Sequence, residues 1–278
     1  MGKRRKSFSI AQGVVHLIIW ILLFIMLYPL AMTAWNAFKS QIGYEYTRWY
    51  PTLPLRVRNI AVAFVHIWRY VLNTLIVAVV GGAGCLFIAS LSAYVFARME
   101  FPGRKILYAM VIGLMMIPGV LTLVPSYAIY RSMGLLNNLL VLIIPVIIGG
   151  SIFGVFLLNA FFAGLSKDMF EAGQIDGAGD FRCYFSIALP LCLPIMGTLA
   201  IMKFVDVWND YLWPMITIHD YEKLTISAGL LITFTRQYSS NMPVTFSGYL
   251  VASVPLILLF IFANRYYVEG LVNSAIKM

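Results

Sequence analysis

The sequence predicts an all-α membrane protein with six transmembrane helices. Three observations carry this. Only 11% of the 278 residues are charged, against roughly 25% in ordinary globular proteins. Hydrophobic residues make up 61% of the chain and the mean hydropathy is +0.87, which is more apolar surface than one compact core buries, so a lipid solvent must take the rest. The same numbers exclude intrinsic disorder. The third observation is patterning. A charge at a helix centre costs roughly 2.5 to 3.5 kcal/mol on the insertion scale, so spans show as charge-free windows. Six such windows run over Ser7 to Phe38, Tyr70 to Ala97, Ile106 to Tyr130, Ser132 to Ser166, Cys183 to Met202 and Gln237 to Asn264. Each is long enough to cross about 30 Å of hydrocarbon at about 1.5 Å per residue. They place spans at about 12–35, 70–97, 106–129, 138–162, 183–205 and 246–264 of a single transmembrane domain covering 1–278. A β-barrel is excluded because no segment of about ten residues alternates apolar with polar.

Taken in order, the first window follows the basic Lys3-Arg-Arg-Lys6 and imitates a signal peptide. It is too long for one and lacks a small-residue cleavage site, so it reads as a retained span. In the second, Gly81-Gly82-Ala83-Gly84 and the ladder Ala89, Ala93, Ala97 put small side chains on one helix face, as do Gly150 and Gly154 in the fourth. Such faces serve close helix packing or line a substrate path. Prolines at 118, 125, 145, 190 and 194 remove backbone donors, which predicts kinked helices facing protein or a cavity.

An even number of spans puts both termini on one side, and the Lys3–Lys6 cluster assigns that side to the cytoplasm. Inside segments then carry eleven Lys or Arg and outside segments eight, five of them (Lys39, Arg48, Arg56, Arg58, Arg69) in the first loop. Although the net charge is +9, the basic residues are scattered between apolar runs and form no face for nucleic acid. Cys85, Cys183 and Cys192 lack CxxC spacing and suggest neither a disulfide framework nor a zinc site.

The strongly patterned polar stretch is the loop 165–182 between the fourth and fifth windows. Ser166 or Asp168 can cap a helix whose dipole favours Asp168 and Glu171 in its first turns; Met169, Ala172 and Ile175 fall on one apolar face; Gly177 and Gly179 stop it. So short a helix has too little area to stabilise itself, which suggests a partner groove. On these features alone a solvated connecting loop stands equally well.

Glu171-Ala172-Gly173, then Gly177 after three residues and Ile187-Ala188-Leu189-Pro190 after nine more, resembles the EAA signature of ABC importer permeases, E-A-A-x3-G-x9-I-x-L-P. Gly173 stands where Ala is usual. The remainder resembles the smaller permease of maltose-type carbohydrate importers, through Asn73-Thr74, Ser92 to Arg98, Phe101-Pro-Gly-Arg104, Gly134-Leu-Leu-Asn-Asn138 and Phe204 to Pro214 among others. Asn138 replaces the usual Thr, and Leu165-Ser166 the usual Ile-Pro. The resemblance implies the ABC type I importer fold, with a cytoplasmic coupling helix formed by Glu171, Ala172, Gly173, Ile175, Asp176 and Gly177 and followed by Pro190. It also implies a second homologous permease, an ATPase dimer that receives that helix, an extracytoplasmic sugar-binding protein, and residence in the cytoplasmic membrane of a bacterium or archaeon. The chain carries no G-x-x-x-x-G-K-[ST], so ATP and Mg are expected on the ATPase and no cofactor here.

Asp206 and Asp210 lack accompanying His or Cys, so neither a metal site nor catalysis is expected. Trp208, Asn209, Tyr211 and Trp213 near the outer end of the fifth span read either as an interfacial aromatic belt or as a sugar-stacking or gate surface. The expected function is ATP-driven sugar import. Its rivals are import of a polyol, glycerol phosphate or acidic saccharide, and a polytopic membrane transferase.

Overall fold

The computed structural model describes residues 10–236, 238 and 240–275, with side chains characterised over 12–234, 238 and 240–262. The Lys3-Arg-Arg-Lys6 cluster and residues 276–278 lie outside the described residues. Helices follow in the order α1 (Ile10–Ala37), α2 (Gln41–Thr47), α3 (Arg58–Arg98), α4 (Arg104–Leu114), α5 (Gly119–Ser132), α6 (Leu140–Ala163), α7 (Lys167–Ile175), α8 (Asp180–Cys183), α9 (Leu189–Asn209), α10 (Leu212–Thr217), α11 (Ile226–Arg236) and α12 (Met242–Ala275). A π turn, Tyr184–Ala188, joins α8 to α9, and a 3-10 turn, Tyr221–Lys223, precedes α11. No strand occurs among the described residues.

Five helices are long and apolar enough to span a bilayer, and α4 with α5 supplies a sixth if that bent pair is one span. Here the structure corrects the sequence reading. The third span, placed at 106–129 with a kink expected at Pro118, is two helices meeting at 96°. Pro118 has no N–H to continue α4 and disfavours helical geometry at Ile117, so the chain turns there and Pro118, at ψ 127°, becomes the N-cap of α5. The second helix also begins earlier than 70. At 41 residues α3 is about 60 Å long at about 1.5 Å per residue, and its first third carries Arg58 and Arg69, which the charge-free criterion excluded.

Two compact units are distinguished, Met1–His66 with Ile232–Ser253, and Ile67–Leu231 with Val254–Met278. In the first unit, α1 exposes nearly all its large apolar side chains, as a lipid-facing helix does. The basic first loop is tied down by its own polar groups. Lys39, 2% exposed, donates its ammonium to the carbonyls of Thr47 and Tyr50 at the C-terminal end of α2, where the helix dipole favours a cation. Asn59 Nδ2 donates to the Ala37 and Lys39 carbonyls at 2.9 and 2.8 Å.

In the second unit, small residues bring α3, α6 and α9 together. A Cβ on Gly154 would stand 2.6 Å from Ala89 Cβ and 3.0 Å from Leu199 Cδ2, so the ladder on α3 and the glycine pair on α6 meet as packing faces. Around them Tyr94, Phe162, Tyr184, Leu199 and the thiols of Cys183 and Cys192 form one buried cluster. Ser90 and Tyr184 hydroxyls, both buried, hydrogen-bond at 2.7 Å. The π turn lies just before Pro190, whose missing N–H removes an α-helical bond from that turn. Motif residues far apart in sequence become mutual anchors. Asn73 Nδ2 donates to the Glu222 and Leu224 carbonyls at 2.7 and 3.0 Å, and Thr74 Oγ1 accepts from Ile226 N at 2.8 Å, capping α11. Asn137, at φ +59°, accepts from the amides of His219 and Asp220.

Candidate functional site

The helix expected in the loop 165–182 is α7. Ser166 is its N-cap and accepts from Asp168 N at 3.3 Å. Its backbone, φ −61° and ψ 137°, already holds the φ that a proline imposes, so the missing proline leaves the approach to the helix unchanged. At the other end Gly177, at φ +80°, closes the helix while Ala178 N bonds back to the Gly173 carbonyl at 2.9 Å. That left-handed turn is the reason for glycine at this point of the signature.

The helix has two unlike sides. Phe170 is buried against Tyr94, with ring centroids 6.3 Å apart. Gly173 lies over the start of the fifth span, where a Cβ would stand 3.0 Å from Ile187 Cδ1 and 3.6 Å from Cys183 Sγ. The departure from Ala therefore makes room for Ile187, itself a signature residue. On the other side Met169, Glu171, Ala172, Ile175, Asp176 and Gly177 are exposed, Ile175 at 86%. The apolar ridge Met169, Ala172, Ile175 thus has no cover among the described residues. Pro190 is exposed near the start of α9.

Arg98, at the end of α3, joins α7 to the bundle. Its Nη2 donates to the carbonyls of Phe162 and Leu165 at 2.6 and 2.5 Å, where α6 ends, and its guanidinium lies 4.3 Å from the centroid of the Phe170 ring. Tyr94 Oη also donates to the Asp180 carbonyl at 3.4 Å. One cation and two aromatic residues so hold the last turn of α6, the inner side of α7 and the start of α8 in fixed relation.

The four residues at the outer end of α9 separate. Trp208 is 3% exposed and stacks on Phe204 at 5.5 Å, while its carbonyl accepts from Ser227 Oγ. Asn209 is exposed and bonds back to the Val205 carbonyl at 3.0 Å, and Tyr211 is half-exposed. Of the four, Trp213 lines the cavity of about 350 Å³ that Lys203, Asp206 and Asp210 also face. Its Nε1 donates to the Val141 carbonyl at 2.8 Å and Tyr130 meets its ring edge-on at 5.8 Å. Lys203 pairs with Asp206 at 2.6 Å. Burial pushes the Asp210 carboxyl above the usual carboxylate range, opposed by the amides of Trp213 and Leu212. No cluster of three or more metal-ligating side chains occurs among the described residues.

Residues 85–272, which contain α7 and its anchors, match the family described as the inner membrane component of binding-protein-dependent transport systems. The chain belongs to that family. It is therefore a multi-pass ABC importer permease. Over 280 residues it is 29% identical to a probable ABC transporter permease, YurM, of Bacillus subtilis, covering 99% of this chain and 92% of that one. It is 33% identical over 201 residues to NgcG, the diacetylchitobiose uptake permease of Streptomyces coelicolor, covering 72% and 67%. A solved bacterial ABC transporter involved in import of the acidic polysaccharide alginate has the same fold, with TM-score 0.84, 19% identity, and 96% and 100% of the two chains covered.

Sequence reasoning identified the exposed side of the permease's α7 and missed its anchors. Arg98 entered only as the last residue of the stretch Ser92 to Arg98, with no role assigned to it, and Phe170 was one apolar residue beside the ridge. The signal was present in the spacing: Phe170 lies on the helix face opposite Met169, Ala172 and Ile175, so the pattern is apolar on two sides rather than one.

Proposed function

We propose that the permease is one of two homologous transmembrane subunits of a bacterial or archaeal importer that moves a sugar or oligosaccharide across the cytoplasmic membrane, powered by a separate ATPase dimer. The observation that carries this reading is the two-sided α7: an apolar ridge left uncovered by the described residues, ending in Ile175 at 86% exposure, on a short helix whose inner side is fixed to the bundle. Such a ridge suits a groove on the ATPase, and its rigid seat lets motion of that groove reach the spans. The loop then lies in the cytoplasm, with both termini on the same side.

Alternating access needs this joint for an energetic reason. A cargo that binds both orientations of a cavity equally shifts neither, so closure of the ATPases supplies the differential energy. ATP and Mg belong to that partner, and this chain holds no cofactor. A saccharide is the favoured cargo because related permeases are described by diacetylchitobiose and alginate. An extracytoplasmic binding protein delivers it, in keeping with the family's description.

The test is co-purification and cross-linking. Ile175→Cys, in an assembly purified from its own host, is expected to cross-link to a stoichiometric ATPase subunit and to be protected from labelling in membranes. Free labelling of Ile175→Cys with no ATPase recovered, or labelling only from outside the cell, overturns the reading.

A further inference from the structure

The cavity beside α9 has a feature that the coupling helix does not explain. Thr225, at the start of α11, is 1% exposed, lines the cavity, and its Oγ1 has no hydrogen-bond partner among the described residues. A desolvated hydroxyl left unmatched costs free energy of the order of a hydrogen bond, which a ligand hydroxyl would recover. Across the same cavity stand the Asp210 carboxylate and the Trp213 indole. Asp210 is held by the Trp213 amide at 3.3 Å, and the indole by its bond to the Val141 carbonyl, so neither group has to be ordered on binding. At about 350 Å³ the space lies at the small end of ligand pockets, about 300 to 1,000 Å³.

Charge selects among polyhydroxylated ligands. Lys203 is neutralised by Asp206 at 2.6 Å, which leaves Asp210 as the cavity's charge without an ion-pair partner among the described residues. An anionic saccharide would meet that carboxylate with no unpaired cation among the described lining residues to offset it, a repulsive element of the kind that sets specificity. We propose that this cavity is a site on this subunit for one ring of an uncharged saccharide, with Thr225 and Asp210 bonding its hydroxyls and the Trp213 indole supporting its apolar face. The inference rests on the saccharide reading and deepens it, because it assigns direct cargo contact to this chain and excludes acidic sugars at this point.

The experiment uses the complete importer in proteoliposomes, with its cargo identified first by ATP-dependent uptake from a panel of neutral and uronic-acid disaccharides. Val77→Cys adds a thiol to the cavity wall, while the parent chain, whose cysteines are buried, is the control. At ten times its half-saturating concentration the neutral cargo is expected to slow methanethiosulfonate labelling about tenfold, because only unoccupied sites react. Thr225→Val is expected to raise the protecting concentration about tenfold through loss of one hydrogen bond, and Thr225→Ser to restore it. The isosteric Asp210→Asn should weaken protection by the neutral cargo and admit protection by galacturonate. Undiminished protection in Thr225→Val and Asp210→Asn, or none at all in an importer that transports the sugar, overturns the site and leaves the function standing. If no saccharide is transported, the functional reading fails and the site with it.

Discussion

Replacing Arg98 with glutamine separates a rigid joint from a merely present one. The side chain makes two charge-assisted bonds, to the Phe162 and Leu165 carbonyls, and lies over Phe170. Because Arg98 is partly exposed, the lower end of the range applies, ~1.5 kcal/mol per bond and ~0.5 to 1 for the ring contact, or ~3.5 to 4 kcal/mol in all. Glutamine recovers one neutral bond of about 1 kcal/mol, leaving a net loss of ~2.7 kcal/mol, about a hundredfold in the equilibrium between docked and undocked α7. Hydrogen exchange on the importer in nanodiscs reads this directly. Amides of 167–175 should lose about two orders of magnitude of protection while those of α9 hold theirs, and uptake should fall while ATP hydrolysis persists. Arg98→Lys, which keeps the charge but not the fork, should fall between. Unchanged exchange in α7, or an equal loss of protection throughout the bundle, would refute the idea that Arg98 fixes this helix in particular.

Ile175→Glu should leave thermal stability within about 0.5 kcal/mol of the parent, since the side chain is 86% exposed, yet reduce both ATPase recovery on purification and uptake at least about tenfold. Gly154→Val should cost ~1 to 3 kcal/mol by overpacking against Ala89, seen as a lower melting temperature that Ala89→Gly partly restores. Gly177→Ala forces a side chain into φ +80° and should destabilise the end of α7 by about 1 kcal/mol, measured as faster exchange over 173–180 with α3 unaffected. Lys39→Met removes the ammonium that bridges the Thr47 and Tyr50 carbonyls, and limited proteolysis should then cut residues 41–57 faster at unchanged α9 protection.

Hydropathy alone determined the class of this permease, because a charge-free run of twenty residues has one cheap solvent and one backbone solution in it. Local chemistry marked the ends of α7 as well, although it left a solvated loop open: Ser166 caps the helix, Gly177 ends it, and each acts within four residues of its own position. The same reasoning failed where distance mattered. A charge-free criterion began the second span at Tyr70, although α3 starts at Arg58, because basic residues end a hydrophobic window without ending a helix. Pro118 announced a kink in the third window, but sequence does not give its size, and the chain there turns by 96°.

What only the tertiary structure decided is which side chains meet. Arg98 lies 72 residues before Phe170 and Thr74 lies 152 before Ile226, and no periodicity relates them. The division of Trp208 into packing and Trp213 into a cavity wall likewise depends on which neighbours each indole finds. Solvent choice and helix capping are properties of a segment and can be read from it. Anchors and cavities are properties of pairs of segments, and exist only once the helices have packed.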